Sequence, residues 1–145
     1  TLPEMLGSLT SLGILDLRHN ELTGTLPGSL GSLTSLRELT MFDNSLTGTL
    51  PDSLGALSNL EILSFGVNKL TGTIPNTFGS KSRLSAPNTF GSLSSLRLLN
   101  MFNNKLTGTL PDGLGSLSNL EEFNFGKNKL TGSVPDTLGS LTSLR

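Results

Sequence analysis

The sequence predicts an α/β fold in which short, similar coils stack into a right-handed solenoid with a parallel β-sheet along its concave face. Proline recurs in steps of 24 residues, with a single step of 12, at positions 3, 27, 51, 75, 87, 111 and 135. Leucine supplies 33 of the 145 residues and occupies fixed positions of that period. One coil of this size cannot bury its own leucines, so stability has to come from contacts between neighbouring coils.

The repeat contains a predicted short strand with apolar residues at alternate positions, both of them leucine in the first coil. Leu15 and Leu17 flank Asp16, and this alternation places both leucines inside the solenoid and the aspartate outside. Every coil repeats the strand in the same direction, so the strands should pair into the parallel sheet.

An asparagine follows the strand in five coils. It stands at Asn20, Asn44, Asn68, Asn104 and Asn128. A buried amide at a turn has to satisfy its donors and its acceptor, most simply on backbone groups of its own and the adjacent coil. We interpret this asparagine ladder as structural.

The residues after the asparagine predict a second, shorter strand. In Leu22–Leu26, the side chains of Leu22 and Leu26 alternate with outward threonines, and Gly24 faces inward. Pro27 should end the strand, and the residues up to Gly31 should cross the convex side in a helical or 3-10 turn.

Together these positions give L-x-x-L-x-x-L-x-L-x-x-N-x-L-T-G-x-L-P-x-x-L-G-x, on which five coils superimpose, with Ile or Val sometimes replacing the leucine before the proline. The pattern resembles the plant-type leucine-rich repeat, whose hallmark is an LTGxIP segment after the LxLxxN strand. The resemblance covers essentially the whole chain. It implies a non-enzymatic recognition module that binds a protein or peptide on its concave face, as a segment of a larger receptor-like protein that is secreted or at the cell surface.

The sequence predicts a single solenoid over residues 1–145, of about six coils, that is irregular or interrupted at 81–92. The hexapeptide PNTFGS occurs at 75–80 and again at 87–92, half a period apart, and Lys81 stands where other coils carry an inward leucine. A looped-out half-coil, a deletion of twelve residues, and a missing stretch of sequence all remain open. We predict irregular structure or a discontinuity around Lys81–Ala86.

The sequence begins and ends inside the repeat pattern, without the capping elements that are usual in the family. The sequence therefore predicts a fragment of a longer protein, whose uncapped ends offer a surface for association.

Composition excludes several function classes. Ten basic and eleven acidic residues give a net charge of -1, which leaves no electrostatic footprint for nucleic acid. Cysteine is absent and His19 is the only histidine, so we predict no metal and no cofactor. No apolar run is long enough for membrane insertion, and this segment carries no signal peptide.

No catalytic constellation emerges from the motifs. His19 follows Arg18 at a turn where Asp16 or Asp43 can approach it, without a serine in a nucleophile elbow. Glu121 and Glu122 are adjacent, so on a strand they should point in opposite directions. We predict that the chain is not an enzyme.

The outward positions of the concave strands form the candidate ligand-binding surface. These positions are Ile14, Asp16, Arg18, Glu38, Thr40, Phe42, Ile62, Ser64, Leu98, Asn100, Phe102, Glu122 and Asn124. Ile14, Ile62 and Leu98 fall in one column, and Phe42 and Phe102 in another. Large apolar side chains aligned on an exposed face are typical of a contact surface.

Two alternatives to ligand recognition remain open. The predicted second strands carry hydroxyl columns, formed by Thr23, Thr25, Thr47, Thr49, Thr71, Thr73, Thr107, Thr109 and Thr131. With spacings of ~7 Å along a strand and ~4.8 Å between strands, the columns resemble the ice-binding faces of β-solenoid antifreeze proteins. The other alternative is a purely structural or assembly segment.

Overall fold

The chain folds into a stack of coils with a parallel sheet on one side, as the sequence predicts. This computed structural model describes residues 1–79 and 93–145. The irregular segment predicted at 81–92 therefore lies outside the described residues. The strands are β1 (Ile14–Asp16), β2 (Thr23–Thr25), β3 (Glu38–Thr40), β4 (Ser45–Thr47), β5 (Ile62–Ser64), β6 (Leu98–Asn100) and β7 (Glu122–Asn124).

The main sheet contains β1, β3, β5, β6 and β7 in that order, and every pair is parallel. Equivalent residues of neighbouring strands face each other, so Ile14 pairs with Glu38 and Glu38 with Ile62. Between β5 and β6 the partner of Ile62 is Leu98, 36 residues away instead of 24. The sheet therefore keeps its register across the interval that contains the second PNTFGS.

The described residues on either side of that interval close one coil. The backbone N–H of Leu93 donates to the carbonyl of Phe78 at 3.1 Å, as Leu57 donates to Leu54 at 3.2 Å in the coil before. Phe78 and Leu93 are both fully buried. Leu93 thus fills the core position that the sequence pattern assigns to residue 81.

The second strands are shorter and fewer than the sequence suggests. Among the described residues only β2 and β4 form a second sheet, extended by one bridge between Thr49 and Thr71. Inter-coil bonds continue beyond it, because Thr107 N donates to Gly72 O at 2.8 Å. The glycine in the middle of each segment has φ between 76° and 88°, and this left-handed conformation interrupts the extended backbone.

Short 3-10 turns cross the convex side, each directly after a proline. They span Glu4–Ser8, Gly28–Ser32, Asp52–Ala56, Asn76–Phe78, Asp112–Ser116 and Asp136–Ser140. The turns pack tightly: a Cβ at Gly55 would lie 2.6 Å from both the Cβ and the carbonyl oxygen of Thr77. The glycine of the L-G pair is therefore required by the close approach of the next coil.

The core runs along the solenoid axis as columns of leucine between the sheet and the convex turns. Leu39, Leu63 and Leu99 of successive strands are fully buried, and Phe65 and Phe78 are the largest buried side chains. Burial is lower in the first and last coils, where Leu15 and Phe123 are only partly buried, because each of these coils packs on one neighbour.

The asparagine ladder joins each coil to the one before it. In the middle of the stack, Asn68 Nδ2 donates to Met41 O of the preceding coil at 2.9 Å and to Phe65 O of its own coil at 3.0 Å. Asn68 Oδ1 accepts from Leu46 N at 2.9 Å. The same bonds recur at Asn44, Asn104 and Asn128.

We expect Asn68→Ala to lower the free energy of unfolding by about 3 kcal/mol, because the change leaves buried carbonyl and amide groups without partners. Urea denaturation followed by circular dichroism measures it. Asn20→Ala is the matched control, since Asn20 is exposed and its side chain bonds only within its own coil. Its cost should stay below about 1 kcal/mol. Equal losses in both variants would contradict the ladder as the main source of the effect.

The residue before each asparagine is left-handed, and one coil has an unfavourable residue there. Val67 has φ of 53°, and the equivalent residue in the coil of β6 is Asn103, with φ of 54°. A β-branched residue is strained in this region, whereas asparagine tolerates it. We expect Val67→Asn to raise the free energy of unfolding by about 1 kcal/mol and Asn103→Val to lower it, measured by the same denaturation. A stabilising Asn103→Val would contradict the strain.

Candidate functional site

The predicted concave positions line up in three columns on the outer face of the main sheet. The first column, in coil order, is Ile14, Glu38, Ile62, Leu98 and Glu122. Ile14 is 57% exposed. Ile62 and Leu98 are direct neighbours and half-buried, so they form one apolar pair between two glutamates.

The middle column is largely engaged within the protein. Thr40 and Ser64 are only 3% and 7% exposed, so these two predicted contact residues offer almost no surface to a ligand. Asn100 Oδ1 accepts from Phe102 N at 2.9 Å and Asn124 Oδ1 from Gly126 N at 3.0 Å. These short local bonds hold each asparagine against its own strand end.

The third column places each phenylalanine ring against a glycine of the next coil. A Cβ at Gly66 would lie 2.9 Å from Phe42 Cδ2, and one at Gly126 would lie 3.2 Å from Phe102 Cδ2. Both rings are half-buried. Because the next coil has no side chain at this position, one edge of the ring occupies that space, and the ring stays partly accessible.

Polar groups border both rings. His19 meets Phe42 edge-on, with ring centroids 5.6 Å apart, and Lys127 Nζ lies 5.3 Å from the centroid of Phe102. The Phe–Gly pairing repeats because alternate coils share the motif R-x-L-x-M-F, at 37–42 and at 97–102. The coil that follows each of them lacks this motif and has glycine in place of the phenylalanine. Sequence reasoning that compared coils one by one missed this two-coil similarity.

Asp16 and Arg18, both in the predicted site, neutralise each other. Arg18 Nε donates to Asp16 Oδ1 at 2.9 Å and Arg18 Nη2 to Oδ2 at 2.7 Å. Arg18 N and Thr40 Oγ1 also donate to Oδ1, at 3.1 and 3.0 Å. These hydrogen bonds, above all the one from the Arg18 guanidinium, hold the pKa of the Asp16 carboxyl well below its usual range.

His19 lies beside one of the two aspartates that the sequence places near it. Its Nδ1 is 3.0 Å from Asp43 Oδ2, and both side chains are more than half exposed. Within the described residues no three His, Asp or Glu side chains are grouped to hold a metal ion.

A recess of about 170 Å³ lies at one edge of the concave face and was not predicted from the sequence. Three successive coils line it with Glu61, Ile62, Arg97, Leu98, Glu121 and Glu122. Arg97 Nε donates to Glu121 Oε1 at 2.8 Å, and this hydrogen bond lowers the pKa of Glu121. Glu121 and Glu122 were expected to diverge, but both line the recess. Glu121 lies just before β7, so the alternation of side chains along a strand does not apply to this pair.

The sequence contains a signal for this edge. The position just before β3, β5, β6 and β7 carries charges of alternating sign, at Arg37, Glu61, Arg97 and Glu121, and Arg145 continues the alternation one period later. Arg145 Nη1 lies 3.7 Å from Glu121 Oε2. Cross-strand neighbours of opposite charge attract, so the alternation could have been read as an ion-pair column along the edge.

The threonine columns are exposed, but their groups take part in contacts between coils. Thr71 Oγ1 donates to Gly48 O at 3.2 Å, and Thr47 and Thr107 make the same bond to the glycine of the preceding coil. The methyl groups of the second column face the next glycine, since a Cβ at Gly72 would lie 2.7 Å from Thr49 Cγ2. Ice binding through these columns stays a prediction.

No helix in the described parts of the chain has the length and apolar character needed to cross a membrane.

We expect Arg18→Gln to raise the pKa of the Asp16 carboxyl toward its usual value of about 3.9, because the guanidinium bonds that favour the ionised form are lost. A carboxyl ¹³C NMR titration measures it, with Arg145→Gln at the far end of the stack as the control that leaves Asp16 unchanged.

The sign of the stability effect follows from the same shift. The folded-state pKa of Asp16 lies below the unfolded value, so its contribution to stability is present above the unfolded pKa and is lost as pH falls toward the folded one. Arg18→Gln should therefore flatten the acid limb of the stability curve. An unchanged limb together with an unchanged Asp16 pKa would contradict the pairing.

The repeats match a known family model. The model described as Leucine Rich Repeat matches residues 11–33, 35–57, 59–81, 95–117 and 119–141. The comparison with curated proteins found no match.

Solved structures with the same architecture include plant receptors. A TDR receptor is 36% identical with a TM-score of 0.88, over 99% of this chain and 23% of the receptor chain. The ectodomain of the Arabidopsis thaliana receptor kinase GASSHO1/SCHENGEN3, in complex with CASPARIAN STRIP INTEGRITY FACTOR 2, is 32% identical with a TM-score of 0.75, over 99% and 21%. A leucine-rich repeat protein of Leptospira interrogans is 30% identical with a TM-score of 0.81, over 100% and 33%.

This chain thus spans less than a quarter of the two receptor chains and a third of the bacterial one. Its repeat pattern, its sheet of stacked parallel strands and its 3-10 turns agree with the family model and with these structures. The chain belongs to the leucine-rich repeat family, with repeats of the plant type.

Proposed function

We propose that the chain is a non-enzymatic recognition segment that binds a protein or peptide on its concave face, within a larger secreted or cell-surface protein. One observation carries the proposal: Phe42 and Phe102 lie half-exposed on the sheet, each seated on a glycine of the next coil. Aromatic side chains that are held in place and partly accessible are favoured as binding anchors.

The spacing of the anchors fits an extended partner. Phe42 and Phe102 belong to alternate strands of the main sheet, with β5 between them, so they are separated by ~10 Å along the stack. The apolar pair Ile62 and Leu98 lies in the first column, on β5 and on the neighbouring β6. A ligand that also spans the ~13 Å between the first and third columns meets all four side chains.

Similarity to a ligand-bound receptor supports a role in binding. The leucine-rich repeat ectodomain of GASSHO1/SCHENGEN3 was solved in complex with CASPARIAN STRIP INTEGRITY FACTOR 2, and this chain aligns with part of that ectodomain. The polar side chains of the middle column already bond within the protein, so they favour a polar rim beside the apolar contacts.

We expect the double variant Phe42→Ala, Phe102→Ala to weaken binding of concave-face ligands by at least about tenfold, since two aromatic anchors are removed. Dodecapeptides selected from a phage-displayed random library on the wild-type chain serve as probes, and their affinities are measured by calorimetry. The melting temperature should change little compared with a core variant such as Leu63→Ala, because the rings are only half-buried.

The control is Thr73→Ala, Thr109→Ala, which changes the threonine columns and leaves the concave face intact. Its affinity for the selected peptides should equal that of the wild type. Unchanged affinity in the phenylalanine variant overturns the proposal. Failure to select any saturable peptide favours a structural role, and inhibition of ice recrystallisation that is lost in Thr49→Lys, Thr73→Lys favours ice binding.

A further inference from the structure

The edge recess combines an apolar floor with a charged rim. Ile62 and Leu98 are opposite each other on β5 and β6 and are both half-buried. They belong to the concave surface and to the wall of the recess at the same time. The recess is therefore continuous with the face that carries the two phenylalanine anchors.

The charges of the residues that line the recess do not balance. Glu61, Glu121 and Glu122 contribute three carboxylates, and Arg97 is the one cation among the lining residues. Arg97 is hydrogen-bonded to Glu121 at 2.8 Å. Arg145, which does not line the recess, also pairs with Glu121, at 3.7 Å. Within residues 1–79 and 93–145, neither Glu61 nor Glu122 forms an ion pair.

Carboxylates beside an apolar pair favour an amphipathic cation. Lysine and arginine side chains lay their methylene stems along apolar surface and keep the charged head near polar groups. The recess, with a volume of about 170 Å³, has the size of one long side chain. An anionic side chain would face an excess of like charge there, and a metal ion would lack a grouped set of ligands among the described residues.

We propose that the edge recess binds a lysine or arginine side chain of the protein or peptide that occupies the concave face. The stem lies on Ile62 and Leu98, and the cationic head reaches Glu61 and Glu122. This inference rests on the proposed function and adds the chemistry of one ligand residue to it. Since Glu61 and Glu122 flank the apolar pair on different coils, the head can be held between two carboxylates.

The chain offers an internal reporter for the test, because its only isoleucines are Ile14, Ile62 and Ile74. Ile62 lines the recess, Ile14 lies in the same column two strands away, and Ile74 is a core residue with 3% exposure. The probes are Nα-acetyl-arginine methylamide and its neutral isostere, Nα-acetyl-citrulline methylamide. Isoleucine δ1-methyl NMR spectra of the full chain are recorded as each probe is titrated.

We expect the arginine probe to shift the Ile62 methyl signal saturably, with little effect on Ile14 or Ile74. The citrulline probe should bind at least about fivefold more weakly, and added salt should narrow the difference, because screening weakens the charge attraction. Glu61→Gln, Glu122→Gln should reduce arginine binding to the citrulline level. Unchanged Ile14 and Ile74 signals in this variant show that it is folded.

Equal responses to both probes, or no response of Ile62, overturn the inference. The peptides selected for the proposed function separate the two ideas. If they still require Phe42 and Phe102 but bind the double glutamine variant as well as the wild type, the concave-face proposal stands and the recess proposal fails. If no peptide binds the concave face, the proposed function fails whatever the arginine probe does.

Discussion

The buried asparagine bridge between neighbouring coils is the interaction on which the rest of the structure depends. Asn68 uses both ends of its amide: the nitrogen donates to carbonyls of two coils, and the oxygen accepts from Leu46 N of the coil before. Each coil therefore has its turn completed by the next one. This turn holds the residue before the asparagine in a left-handed conformation, even where that residue is Val67.

This dependence on neighbours fixes the surfaces. Because equivalent residues pair in register from coil to coil, side chains on the concave face stand in columns, and the size of one determines the environment of the next. Gly66 leaves room for the ring of Phe42. The hydroxyl of Thr40 donates to Asp16, and Thr40 is buried. What remains accessible for recognition is a short apolar stripe with charged groups along one edge.

The register also explains how the stack accommodates a change in period. Ile62 pairs with Leu98 as if the two were 24 residues apart, and Asn104 bonds to Phe65 O and Leu70 N as Asn68 does to the coil before it. The interactions that hold these coils together include the pairing of the strands, the asparagine bonds and the packing of the convex turns. Because these contacts are kept, the sheet continues, and Leu93 fills the core position that the pattern assigns to residue 81.

The period of 24 residues by itself determined the fold, the inward leucines and the outward columns, because alternation along a strand and recurrence along the chain are local properties of the sequence. Only the tertiary structure decided which outward residues are accessible. Thr40 and Ser64 are buried, and Glu61, Leu98 and Glu122 meet around one recess. Those outcomes depend on which coils become neighbours and on how large the facing side chains are, and both are set across separations of 24 or 36 residues.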